Sequence, residues 1–384
     1  MKRILFLSML LTLLTCCKSE QQNTLKQVSN NLIEVEYQHL PIYNSDTSII
    51  QSIRYIPLET NEKSILGDIG KLLYLNGMFY IHDRKQMSIY QFDKWGNFVK
   101  KIGTIGRGPG EYVSIQAFDV DAKGNIYVWD AMSHKLVIYY ENAGKFSEFR
   151  LKKGFEEFIV AGDNHLIVRN LLDQGMIKSR IASYDFINDE TEELLNTGYY
   201  YDDFDIIRFG HGFSFFRSEN RTFFYARFKN EIFEVSSNAG INKIIQIVDP
   251  VPSREFINNL KNGPNIDFTA YQYIINIGDI YENSGIITMT IRKDDIYTLM
   301  ISKESGNYIL FQNLIPERNF FGSWPIRGIA GEEFISVFWP RGQQNEMWQK
   351  AVNRSSLEFN QKQILLNRRT GDNPVLVLFK FKDF

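Results

Sequence analysis

Residues 103–130 read GTIGRGPGEYVSIQAFDVDAKGNIYVWD, and they restate the grammar of the residues just before them. Phe79-Tyr80-Ile81-His82-Asp83 returns 47 positions later as Ile126-Tyr127-Val128-Trp129-Asp130. The turn Asp93-Lys94-Trp95-Gly96-Asn97-Phe98 returns 48 positions later as Glu141-Asn142-Ala143-Gly144-Lys145-Phe146. A period in the forties, built from short apolar strands and Gly turns, is the pattern of propeller blades, each a small sheet that cannot bury both faces alone. A β-sandwich would show alternating strands without that period.

Working outward, the chain divides into six such units. The first two run from about Tyr55 to Lys101 and from about Ser114 to Lys152. The third spans about Phe155 to Thr197, the fourth about Phe213 to Val248 and the fifth about Ile274 to Leu314. In each, an Asx, Ser or Glu leads a turn whose left-handed position is Gly or a polar residue. The sixth is irregular. Glu333–Trp339 and Val375–Phe381 read as strands, while Asn345–Arg369 lacks alternation and reads as a short helical insertion. A propeller must close its ring, and Leu32–Tyr37 is the N-terminal strand available for that. Phe and Tyr together number 50, and most are expected between blades.

The N-terminus carries Met1-Lys2-Arg3 and then an apolar run from Ile4 to Leu14, the charged and hydrophobic regions of a secretory signal, too short to span a bilayer. It ends in Leu14-Thr15-Cys16-Cys17-Lys18, which resembles a bacterial lipobox. Cys17 is the preferred acylation site, with Leu14 three positions before it, and Cys16 the alternative. These are the two cysteines of the chain, so the folded domain is expected to have neither disulfides nor a thiolate metal site. The expected layout is a signal peptide over 1–16, a polar tether over 17–31 and a propeller over 32–384. Lys18-Ser19-Glu20 resembles an export signal for surface lipoproteins, and the periplasmic and surface faces both stay open. Without Lys2 and Arg3, 41 basic residues face 45 acidic ones, a formal charge near −4. That balance argues against a nucleic-acid partner.

The run Gly106-Arg107-Gly108-Pro109-Gly110-Glu111-Tyr112, followed by residues 118–130, resembles the NHL repeat of six-bladed propellers. With Ile56-Pro57-Leu58-Glu59-Thr60, Gly67-Asp68-Ile69 and Asp372-Asn373-Pro374-Val375-Leu376, the chain resembles the six-bladed β-propeller lipoproteins of Bacteroides-type bacteria. The resemblance implies the fold, a lipid anchor and an envelope location, and the outer membrane is the expected site. It implies no reaction.

The chemical motifs are few. Asp119-Val120-Asp121-Ala122-Lys123-Gly124 begins like a calcium loop but lacks its third and closing ligands, so it reads as a turn. The glycines of 103–110 precede neither Lys-Ser/Thr nor a helix, which excludes a phosphate loop. Five histidines lie singly, without zinc spacing, and no GxSxG elbow occurs. No metal or other cofactor is expected. Arg107 and Glu111 are expected to form an ion pair that fixes their loop, or else to stand at the channel. His82 with Asp83, and Trp129 with Asp130 and His134, occupy equivalent strand ends that feed a propeller's mouth. Their repetition equally suits Asp83 and Asp130 holding backbone donors in equivalent turns. Trp339 and Arg341 occur once only and are further candidates. The expected function is a binding or scaffold module for a protein or glycan. The alternatives are a lyase or hydrolase with a metal or carboxylate site in the channel, and a structural component with an apolar plug.

Overall fold

The computed structural model describes residues 26–28, 32–37, 40, 42–44, 49–141, 144–174, 176–195, 215–218, 221–226, 228–236, 240–253, 273–312, 325–340 and 346–384. They form a six-bladed β-propeller whose blades are antiparallel meanders running from an inner to an outer strand. Blade 1 comprises Ile69–Leu75, Met78–Asp83, Ser88–Asp93 and Phe98–Ile102, and blade 2 comprises Ala117–Val120, Ile126–Asp130, Lys135–Tyr139 and Phe146–Arg150. The inner strands of blades 3 to 6 are Glu157–Val160, Phe215–Arg217, Asn276–Glu282 and Gly328–Ala330.

The burial pattern explains why these strands read as near-continuous apolar runs. Every residue of Ile126–Asp130 is buried, because each face of the strand meets a neighbouring blade, whereas the outer strand Phe146–Arg150 is exposed at alternate positions. Six hydrophobic clusters result, one at each junction between blades. Val128 belongs to the cluster shared with blade 1 and its neighbour Trp129 to the one shared with blade 3. Burying a side chain as large as Trp129 removes roughly 200 Å² from water, worth about 5 kcal/mol.

Ring closure differs from the expectation. The closing strand is Ile50–Pro57, which pairs antiparallel with Val375–Phe381 as the outer strand of blade 6. Tyr55 therefore belongs to the last blade rather than the first. Leu32–Glu36 pairs in parallel with the outer strand Ile241–Val248 of blade 4, and Ile42–Asn44 in parallel with Tyr308–Gln312 of blade 5. The N-terminal segment thus passes the outer edges of blades 4 and 5 in ring order, filling edge hydrogen bonds before it closes blade 6. Strand Lys26–Val28 extends the blade 4 sheet further, inside the stretch read as tether.

The two segments that carried the resemblance to Bacteroides propellers meet at this joint. The buried Asn373 amide donates to the Glu59 and Ser64 carbonyls at 2.6 and 2.7 Å and accepts the Leu66 N–H at 2.7 Å. The expected helical insertion is present as α1 (Glu346–Arg354) and α2 (Phe359–Leu366), between the second and third strands of blade 6. Val352, Leu357 and Leu365 bury there, and Trp348 stacks on Phe338 at 5.0 Å.

Candidate functional site

The propeller has two faces. One collects the hairpins joining first to second and third to fourth strands. The other collects the second-to-third turns and the connections between blades. The strand-end residues singled out in the sequence fall on the connection face.

Asp83 and Asp130 are fully buried and occupied by backbone donors. Asp83 accepts the N–H groups of Gly67, Asp68, Lys85 and Gln86. Asp130 accepts Val113 N–H at 2.7 Å, the Ser114 hydroxyl at 2.7 Å and Ser133 N–H at 3.2 Å. In both blades the carboxylate ties the incoming connection to the end of the second strand. Burial disfavours the Asp130 charge, but the bonds from Ser114, Val113 and Ser133 outweigh it and hold the carboxyl below its ordinary range.

His82 is buried with its ring 6.1 Å from Phe118. Burial above all lowers its pKa to about 4; Asp83 opposes the shift, while Lys71 and Arg84 add to it. Trp129 is not at the channel mouth: it lies in the blade 2–3 core, stacked on Phe155 at 4.5 Å and donating Nε1–H to the Phe155 carbonyl at 3.0 Å. The placement follows from strand alternation. His134 is exposed at a left-handed turn position (φ 50°), the equivalent of Met87 (φ 47°) in blade 1. Its ring meets the edge of Trp129 at 6.1 Å.

Arg107 and Glu111 do not pair. Glu111 instead accepts Gly108 N–H at 2.7 Å, and Arg107 is exposed without an ion pair among the described residues. The loop is fixed by its backbone: Gly110 N–H donates to Glu148 at 2.6 Å and the Gly110 carbonyl accepts the Tyr139 hydroxyl at 2.8 Å. Trp339 packs at the edge of the blade 6–1 cluster, and Arg341 lies outside the described residues. Asp121 is a turn residue, accepting the N–H groups of Lys123 and Asn125, as Asp93 accepts those of Trp95 and Asn97.

The hairpin face holds a cavity of about 390 Å³ between blades 6 and 1, reaching the end of the channel. Its polar lining is Arg54, Tyr74, Asn76, Arg217, Ser218 and Glu333, and its apolar lining includes Leu72, Leu75, Val120 and Ile329. Arg54 is held by Glu333 as a fork, Nε to Oε1 at 2.8 Å and Nη2 to Oε2 at 2.6 Å. Arg217 reaches from blade 4 to blade 2, where Nη1 donates to Asp119 Oδ1 at 2.9 Å and to the Val120 carbonyl at 2.6 Å. Asp119 Oδ2 accepts Val160 N–H of blade 3 at 2.8 Å. Sequence reasoning missed these residues as a group, because four blades line the cavity: Arg54 and Glu333 come from blade 6, Asn76 from blade 1, Val120 from blade 2 and Arg217 from blade 4. The one available signal was Leu75-Asn76-Gly77, a hairpin signature with both turn residues left-handed (φ 51° and 77°).

Deeper in the ring, Lys71 donates to the Phe118 carbonyl at 3.0 Å. Asp279 sits at a bulge in the inner strand of blade 5 with φ 50°. It lies deep among protein atoms but keeps some accessible surface, as a channel-wall group does. Desolvation raises its pKa to about 6, against the opposing pull of Arg327 and Thr290. Among the described residues no three His, Cys, Asp or Glu side chains are grouped to hold a metal ion.

Six blades, six junction clusters and a closing strand from the N-terminus define a six-bladed β-propeller. The sequence profile of the family described as "Domain of unknown function (DUF4934)" matches residues 30–380, and the chain belongs to that family. It is similar to the crystal structure of BF0058 from Bacteroides fragilis NCTC 9343, named as a candidate exported protein, at TM-score 0.70 and 19% identity over 91% of this chain and 99% of that one. It is also similar to a member of the DUF4221 family from Bacteroides vulgatus, at TM-score 0.51 and 13% identity over 87% and 97% of the two chains. At these identities the likeness shows the fold. No curated protein matches the chain.

Proposed function

We propose that the protein is a lipid-anchored β-propeller of the cell envelope that binds a protein or glycan partner, with the hairpin-face cavity as the seat of binding. The observation that carries this reading is the cavity itself. Its two guanidinium groups are each fixed by a carboxylate, Arg54 by Glu333 and Arg217 by Asp119, so recognition groups are presented without further ordering. A rigid ring with a preformed polar pocket suits display and capture.

The envelope location is supported by the signal-like leader with Cys17, or Cys16, at its end, and by the description of the Bacteroides fragilis neighbour as a candidate exported protein. No helix among the described residues is long and apolar enough to cross a membrane. In this reading the acyl chain holds the propeller at the outer membrane, on its periplasmic or surface face.

The test is capture. The purified protein is applied to a glycan array and to immobilised envelope extract, beside a Glu333→Ala variant that frees the Arg54 fork. Saturable binding that the variant weakens supports the reading, and binding indifferent to it places the partner elsewhere. A turnover product released from a captured ligand would replace binding with catalysis. Metabolic labelling with an alkyne fatty acid, lost in Cys17→Ser but kept in Cys16→Ser, tests the anchor.

A further inference from the structure

The cavity's hydrogen-bonding inventory narrows the ligand, on the premise that the hairpin-face cavity is the binding seat. Arg217 uses only Nη1 within the protein, on Asp119 and the Val120 carbonyl. Its Nε and Nη2 have no partner among the described residues, and these two nitrogens are the side of a guanidinium that takes a carboxylate through parallel bonds. Arg217 is about a quarter exposed, within the cavity lining. Asn76 spends one amide N–H on the Ala122 carbonyl at 3.0 Å, which orients the amide and leaves its oxygen, with the second N–H, to a ligand. Glu333, engaged by Arg54, keeps spare acceptor capacity. The lining therefore offers one anion fork, the free side of Arg217, next to several acceptors and a tyrosine ring, Tyr74, while the two ion pairs Arg54–Glu333 and Arg217–Asp119 balance in formal charge.

A ligand that satisfies this set carries one carboxylate and several hydroxyl donors close to it, on a body small enough for a volume near the lower end of small-molecule sites, roughly 300–1,000 Å³. We infer that the cavity binds an acidic sugar of the uronic-acid type: carboxylate on Arg217, hydroxyls on Asn76 and Glu333, and the ring beside Tyr74. A peptide C-terminus supplies the carboxylate but only one neighbouring N–H, and leaves the acceptors unanswered. A neutral sugar leaves the Arg217 fork empty.

The test is titration calorimetry on the full-length protein in detergent with mono- and digalacturonate, the matching neutral galactosides, and a short peptide with a free C-terminal carboxylate. The uronates should bind at least about tenfold more tightly than the neutral sugars. Arg217→Lys, which keeps the charge facing Asp119 but loses the fork, should cost about tenfold or more in uronate affinity. Asn76→Gly, which preserves the left-handed turn, should weaken uronate binding without unfolding the protein, and keeps the inference testable should the lysine variant misfold. Equal binding of acidic and neutral sugars, or uronate binding indifferent to both substitutions, overturns the inference. Capture of the peptide alone also overturns it while leaving the binding-module reading in place. Failure of every array and extract ligand to bind would remove that broader reading as well.

Discussion

Arg217 of blade 4 and Asp119 of blade 2 form an ion pair across the end of the channel, Nη1 to Oδ1 at 2.9 Å, though 98 residues separate them and blade 3 lies between. The same carboxylate accepts Val160 N–H of blade 3, so three inner strands are tied at one point. The pair is asymmetric in burial: Asp119 is almost wholly buried while Arg217 keeps about a quarter of its side-chain surface. Arg217 thus serves the wall and the cavity together.

Removing the carboxylate should therefore cost stability, because it orphans the Val160 N–H and half-buried cation at once. Asp119→Ala is expected to lose about 2–4 kcal/mol in urea unfolding, below the extreme for buried pairs because Arg217 can reach water. Asp119→Ala with Arg217→Met should recover part of that loss. A double variant no more stable than Asp119→Ala alone would mean that the pair is not the origin of the cost.

Asn373 is the hinge pin of ring closure, with its amide N–H groups on Glu59 and Ser64 carbonyls and its oxygen on Leu66 N–H. Asn373→Asp keeps the shape but sets a carboxylate against two carbonyl oxygens. It should destabilise by about 3 kcal/mol or more, exceeding Asn373→Ala. Thermal unfolding of the two variants decides it, and an aspartate variant as stable as wild type would contradict the structure.

Gly96 and Gly144 hold equivalent turns with φ 89° and 56°, yet their surroundings differ. A Cβ at Gly96 would strike the Pro57 carbonyl oxygen of the closing strand, whereas one at Gly144 meets nothing within 4 Å. Gly144→Ala should cost about 1 kcal/mol, the ordinary left-handed penalty, and Gly96→Ala at least about twice that. Equal losses in chemical denaturation would show that the contact does not matter.

Two desolvated groups act in opposite directions with pH. His82 has a folded pKa of about 4 against 6.5 for the free side chain, so the unfolded chain takes up the proton first. Its contribution is present above about pH 6.5 and is lost as pH falls toward 4. Asp279 has a folded pKa of about 6 against 3.8, so the folded chain holds the extra proton. Stability is gained as pH falls from about 6 toward 4, and the penalty is in full force above pH 6. Asp279→Asn should accordingly stabilise at pH 7.5, on the order of 2 kcal/mol, and have little effect at pH 4. His82→Gln should flatten the loss between pH 6.5 and 4. Melting curves across pH 4–8 that leave either variant parallel to wild type would refute the assigned titration.

Much of the ring was legible because its physics is local. The Asp93 and Asp121 turns close through their own side chains and neighbouring N–H groups, so the residues that specify them are within four positions. The closing strand was misplaced for the opposite reason. Leu32–Glu36, Ile42–Asn44 and Ile50–Pro57 are all plausible strands, and only the outer edges of blades 4, 5 and 6 decide which goes where. The repeated aspartates were visible at their strand ends, while the donors that occupy them lie up to 17 residues away in the connections.

The sequence by itself determined the repeat, the hairpin turns, the apolar junctions and the signal-like leader, because each is encoded in spacing and composition over a few tens of residues. Only the tertiary structure decided that Ile50–Pro57 closes the ring, that Trp129 is core, and that Arg54, Asn76, Arg217 and Glu333 share a cavity. Those facts depend on which strand ends the closed ring brings together, and a linear pattern carries no measure of distance across a channel.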